Sequence, residues 1–190
     1  MPLKQEKSAG EKGREMTDER MFSLECRAKK MCYVHINETV VKDESHVIHV
    51  DLGSCVSVIL CGMDDGGRVW FGVNHLFKSR EENSDMALEQ IVRLQDMMTE
   101  AGAKRICCLG LFGAAYREKS LARSVAQKNV LTVVEALHLF NLNVEIFQTG
   151  YSQAIVVLKS DARESFLIQQ RDLKDLKTHL IEIPVIQLFR

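Results

Sequence analysis

Two apolar runs joined by a short polar turn set the framework of this chain. Val56-Ser57-Val58-Ile59-Leu60-Cys61 and Gly72-Val73-Asn74-His75-Leu76-Phe77 lie on either side of Asp64-Asp65-Gly66-Gly67. β-Branched residues flanking an Asp/Gly cluster predict an antiparallel hairpin. Such a hairpin carries the second run back beside the first, so Cys55 and His75, twenty positions apart, come within reach of one another.

Both residues carry chemistry. Cys55 follows Gly53 and Ser54 at the point where a turn enters the first run, and a thiol held there meets solvent and backbone N–H groups while its neighbours are anchored. His75 places an imidazole inside the second run. Together they make a candidate Cys-His hydrolase pair. The competing readings are structural: a small buried cysteine, and a core histidine satisfied by backbone carbonyls.

At 190 residues and 46% hydrophobic content the chain has enough apolar surface for one sizeable core, so a single domain is expected. Lysine plus arginine (25) nearly balances aspartate plus glutamate (26), and a net charge of -1 provides no broad basic field for nucleic acid or anionic lipid. No apolar stretch reaches the length of a membrane span, and the charged N-terminus lacks the hydrophobic centre of a signal peptide. A soluble cytoplasmic protein with no membrane insertion is the expectation. Six cysteines without regular spacing suit a reducing compartment better than a disulfide framework. Cys61, Cys107 and Cys108 read as small core residues, and Cys26 and Cys32 stand too far apart for a structural zinc knuckle. No cofactor and no metal are expected.

Residues 1–20 are charged and nearly devoid of apolar side chains, which predicts a disordered tail. Residues 21–32 read as a short amphipathic helix packed on the domain. Strands are expected over 34–41, 46–51 and 56–61, then 105–112, 144–149, 154–158 and 166–169. Two main helices lie between them. The first has Ala87, Ile91, Leu94 and Met98 on one face with Ser84 as N-cap and Gly102 as stop; the second starts at a Ser124/Gln127 capping box and buries Val130, Val133, Val134 and Leu137. Residues 171–179 read as a short helix and 180–189 as an extended apolar tail, which together form a C-terminal extension over 171–190. Strands early and late with helices between favour an α+β fold of mixed, mainly antiparallel sheets layered with two helices.

The ordered segments Leu52-Gly53-Ser54-Cys55-Val56, Gly72-Val73-Asn74-His75, Asn83-Ser84-Asp85-Met86-Ala87, Leu111-Phe112-Gly113-Ala114-Ala115 and Ser124-Val125-Ala126-Gln127-Lys128-Asn129-Val130 resemble those of the CheD-type chemoreceptor glutamine deamidases. The similarity spans about residues 33–170, and it implies a CheD-like cysteine hydrolase fold. It also implies that Cys55 is the nucleophile and His75 its base, with Gly53 and Ser54 at the oxyanion and Thr149 and Gly150 near the substrate. The implied substrates are glutamines on the cytoplasmic helices of chemoreceptors, and a CheC-type phosphatase is an implied second partner.

The chain departs from that pattern in several places. His49 stands where the family carries a threonine thought to orient the histidine, and an imidazole is able to take over that role. Ala114 and Ala126 replace glycines, no proline follows His75, and a late Gly-Gly-x-x-x-Arg pattern is reduced to Thr149-Gly150-Tyr151-Ser152-Gln153. These departures open two other readings. One is a scaffold that binds receptors or the phosphatase without turnover; the other is a zinc-type site built from Cys55, His75 and His49.

Overall fold

The computed structural model describes residues 17–76, 85–115 and 120–189. In chain order these form α1 (Asp18–Ala28), β1 (Lys30–Tyr33), β2 (Thr39–Asp43), β3 (His46–Leu52), β4 (Val56–Met63), β5 (Val69–Leu76) and α2 (Asp85–Glu100). There follow β6 (Arg105–Gly113), α3 (Ser120–Leu139), β7 (Val144–Thr149), β8 (Gln153–Ser160), β9 (Ser165–Asp172), β10 (Thr178–Pro184) and α4 (Val185–Leu188). The fold is α+β. One sheet runs β1-β3-β8-β9-β10 and the other β2-β5-β4-β6-β7. All neighbouring strands are antiparallel except the β1–β3 and β6–β7 pairs. No helix among the described residues is long and apolar enough to cross a membrane.

The expected hairpin is present. β4 and β5 pair from Val56↔Leu76 to Met63↔Val69, and this register sets Ser57 opposite His75. Alternation along β4 explains its nearly unbroken apolar run, because both of its faces are covered. Ile59 and Cys61 join Ile48, Val50, Phe71, Val73, Ile155, Val157 and Phe166 in a core between the two sheets. Val56, Val58 and Leu60 point the other way, onto Ile91, Leu94 and Met98 of α2 and Val133, Ala136 and Leu137 of α3. Phe22 of α1 covers the outer face of the first sheet at Val47, Leu158 and Leu167. Each such side chain, fully buried, contributes on the order of 1.5–3 kcal/mol.

Gly72 is what lets α2 settle on β5, since a Cβ there would lie 2.7 Å from the Met98 sulfur and 2.9 Å from Leu94 Cδ1. The face expected for α2 is the observed one, with Ile91, Leu94 and Met98 fully buried.

Several expectations are corrected. Residues 34–41 are not one strand: Asn37 adopts a left-handed φ of 62°, and the chain turns there from the edge of the first sheet (β1) to the edge of the second (β2). The N-terminal helix begins at Asp18, capped by Thr17, and ends at Ala28, so Lys30, Met31 and Cys32 belong to β1 instead. α3 starts at Ser120, four residues before the expected capping box, and Val134 on it is exposed while Ala126 and Asn129 are buried. Residues 171–179 form no helix. The Asp172 carboxylate accepts the N–H of Lys174 at 2.7 Å, an Asx-type turn, and the chain reverses into β10, which pairs with β9 along its whole length. The expected extended tail over 180–189 is extended only as far as Pro184, where it completes the first sheet as an edge strand; Val185–Leu188 turn into the short helix α4. The expected Ser84 cap and residues 1–16 of the expected tail lie outside the described residues.

Candidate active site

Cys55 sits one residue before β4, between two fully buried anchors, Leu52 at the end of β3 and Val56 at the start of β4. The turn between them is held from the carbonyl side. Gly53 accepts the N–H of Ala115 at 2.9 Å, and Cys55 accepts that of Ala114 at 2.6 Å. Such close approach requires Gly113, whose φ is 99° and whose Cβ would fall 2.3 Å from the Cys55 carbonyl oxygen. Gly113 in turn accepts the N–H of Gly150 at 2.8 Å, and its ladder partner on β7 is Thr149. Two segments distant in sequence, 113–115 directly and 149–150 through Gly113, thus lock the Cys55 turn, with Gly53 itself exposed and Ser54 half-buried.

His75 lies on β5 opposite Ser57, on the face turned toward the first sheet, while Cys55 precedes the first paired residue of the ladder, Val56, and is buried in the core between the two sheets. The imidazole is 3% exposed, and its Nδ1 stands 3.1 Å from the Val34 carbonyl. A carbonyl only accepts, so Nδ1 carries the hydrogen and Nε2 presents a lone pair. Nε2 is buried and has no hydrogen-bond partner among the described residues.

Burial pushes the basicity of His75 below its ordinary range, against the Val34 hydrogen bond and the Asp51 carboxylate, which raise it; a nearby His35 lowers it further. The thiol of Cys55 is pushed up, again by burial, with its own backbone N–H as the opposing influence. Both shifts favour neutral forms. No hydrogen bond joins the sulfur to His75 among the described residues, so the resting pair is a thiol beside a neutral imidazole.

His49 does not orient His75; the Val34 carbonyl does. On β3 His49 alternates with the inward-facing Ile48 and Val50, which turns its ring outward, where Nε2 donates to Asp51 Oδ1 at 3.1 Å and the ring packs on Tyr33 with centroids 5.0 Å apart. His49 and His75 nevertheless line one cavity of ≈ 210 Å³, together with Asp51, Tyr33, Val34, His35 and Ile36. Cys55 is outside that lining. Thr149 belongs to a different cavity of ≈ 400 Å³, shared with Ala114, Ala126, Gln127, Val130 and Leu131. Cys55, His75 and His49 do not converge as ion ligands, and among the described residues no group of three or more His, Cys, Asp or Glu side chains is placed to hold a metal.

Sequence reasoning missed several contributors. Asp51 was legible in principle, because i and i+2 on a strand share a face and His49 is its neighbour by that rule. Val34 acts through its backbone and leaves no side-chain signal. Buried Gln153 and Gln170 were also overlooked: Gln170 Nε2 donates to Gln153 Oε1 at 2.6 Å and to the Tyr151 hydroxyl, while Gln153 Nε2 donates to the Gln148 carbonyl at 2.7 Å. This amide network fixes the Gly150 turn against the first sheet.

No family model matches the chain, and no curated protein matches it either.

Proposed function

We propose that this protein is a CheD-like glutamine deamidase of chemoreceptors, acting in the cytoplasm without a cofactor. One observation carries the reading: an imidazole with Nδ1–H committed to the Val34 carbonyl and Nε2 buried without a partner among the described residues, on the strand that pairs with the one Cys55 leads into. A buried polar atom left unpaired costs stability, and active sites are where such a cost is tolerated.

In this mechanism Nε2 of His75 takes the thiol proton as the sulfur of Cys55 attacks the side-chain carbonyl of a receptor glutamine. Backbone N–H groups of Ser54 and Cys55, held by the carbonyl clamp behind them, stabilise the oxyanion. The imidazolium then protonates the leaving nitrogen, ammonia departs, and water activated by the same ring hydrolyses the thioester to glutamate. Neutral resting forms suit this sequence, since proton transfer accompanies attack. Gly53 permits the close approach of a substrate backbone. The test is Cys55→Ala, expected to abolish conversion of receptor Gln to Glu by mass spectrometry while the fold is retained; undiminished conversion would remove Cys55 from the mechanism.

A second reading is a scaffold that engages receptor helices or a CheC-type phosphatase without turnover. It is favoured by the raised thiol and the lack of a sulfur–imidazole hydrogen bond. A thiol that alkylates no faster than an unperturbed cysteine, with no deamidation of any receptor fragment, would select it.

A further inference from the structure

We propose that the tip of the β9–β10 hairpin, with Leu173 and Leu176 flanked by Arg171 and Lys174, docks the protein substrate by entering an apolar groove between helices bordered by carboxylates. The inference rests on the deamidase reading and adds to it the surface that brings a receptor helix to the Cys55 turn.

Leu176 breaks two local rules at once. It holds a left-handed φ of 61°, a conformation that glycine or asparagine adopts at lower cost, and it is 59% exposed. Leu173 is 44% exposed, and neither leucine packs into a buried core among the described residues. The reversal does not need their side chains, because it is made by N–H groups donating to the carboxylates of Asp172 and Asp175. Exposed leucines that the fold does not use, one of them strained, point to a partner that covers them.

The tip stands at the end of the molecule that carries Cys55. The ladders align Leu52 with Gln153 and Gln153 with Asp172, so β9 ends two strands, about 10 Å, from the residue that leads into the Cys55 turn. Leu173 donates its N–H to the Ser152 carbonyl at 3.0 Å, and in the same turn Gly150 donates to Gly113, beside the Ala114 N–H that binds the Cys55 carbonyl. A helix is about 10–12 Å wide with its side chains, so one that delivers a glutamine to Cys55 has the tip within its own width.

Charge selects the kind of partner. The Asp172 carboxylate is occupied by the N–H groups of Lys174 and Asp175, and the Asp175 carboxylate pairs with Lys177 at 3.0 Å. Arg171 and Lys174 form no ion pair among the described residues, so the charge offered outward is positive and acidic residues beside the groove complement it. These cations fall short of the clusters of about 4–8 basic residues that hold a protein to an anionic bilayer, which favours a protein partner over a lipid surface.

The test measures binding of the full-length protein to a helical cytoplasmic chemoreceptor fragment by isothermal titration calorimetry, and conversion of glutamine in the same fragment by mass spectrometry. Leu173→Ser combined with Leu176→Asn removes the apolar tip while suiting the left-handed φ, so the fold is kept. This variant should raise Kd by roughly tenfold or more, and Lys174→Glu by roughly threefold. A wild type that does not bind the fragment, or an unchanged Kd in either variant, would overturn the inference. Binding to phosphatidylglycerol vesicles that the leucine variant loses would overturn it in favour of a lipid surface. Conversion of glutamine with an unchanged Kd sinks the tip alone and leaves the deamidase reading standing; tip-dependent binding without any conversion sinks the deamidase reading and leaves the tip in its role.

Discussion

The two ends of the β4–β5 hairpin are built on opposite terms. At the closed end the Asp64 carboxylate accepts the N–H groups of Gly66 and Arg68, each at 2.9 Å, and the Trp70 indole at 3.4 Å; Gly67 supplies a φ of 80°. The Arg68 hydrogen bond is the main reason the carboxyl group is held below its ordinary range. At the open end Ala114 occupies a left-handed φ of 54°, Gly113 is pressed against the Cys55 carbonyl, and the Nε2 of His75 has no partner among the described residues. One end is fully satisfied and exposed. The other stores strain and an orphaned lone pair in a buried place, and that asymmetry locates the chemistry at one end of a hairpin whose strands are mainly apolar.

The asymmetry breaks most readily at Gly113. Gly113→Ala forces a Cβ onto the Cys55 carbonyl at a φ unsuited to alanine, and a loss of roughly 2–5 kcal/mol is expected from denaturant unfolding. Wild-type stability in this variant would mean that the turn is not clamped as described.

A smaller effect follows from the depressed basicity of His75. Its folded pKa lies below the unfolded value, so the unfolded chain binds more protons as pH falls, and stability drops with decreasing pH from about 6.5 downward. Between pH 7.5 and 5.5 the wild type should lose up to roughly 1.4 kcal/mol more than His75→Gln does. Equal losses would show that this ring titrates as it does in the unfolded chain.

The smallest effect sharpens the comparison. Ala114→Gly relieves a left-handed alanine, offset by added freedom in the unfolded state, for a gain of roughly 0.5–1 kcal/mol. A loss on this substitution would place the strain elsewhere.

What could be read from the sequence follows from how local each signal is. The hairpin was legible because both runs are long and the Asp64-Asp65-Gly66-Gly67 turn is unambiguous, and the same pattern paired the strand of His75 with the one that follows Cys55. The turn inside 34–41 was not, since Ile36-Asn37 holds neither glycine nor proline and Asn37 takes its positive φ at a crossover between sheets. Residues 171–179 misled because Leu173/Leu176 and Lys174/Lys177 repeat at the i, i+3 spacing of a helix, while the reversal is made by the carboxylates of Asp172 and Asp175 and a left-handed Leu176. At the site, side-chain identities pointed to Cys55 and His75. The partner of His75 is a main-chain carbonyl 41 positions away, which only the three-dimensional arrangement reveals, whereas the partner of His49 is Asp51, two residues on along the same strand face.

The most direct trial of the central claim is the rate at which His75→Gln converts glutamine to glutamate on a cytoplasmic chemoreceptor fragment, compared with the wild type and followed by mass spectrometry. With Cys55 intact but its base removed, the rate should fall by roughly 10²–10⁴-fold. A variant as fast as the wild type, or a wild type that converts no glutamine, would contradict the assignment.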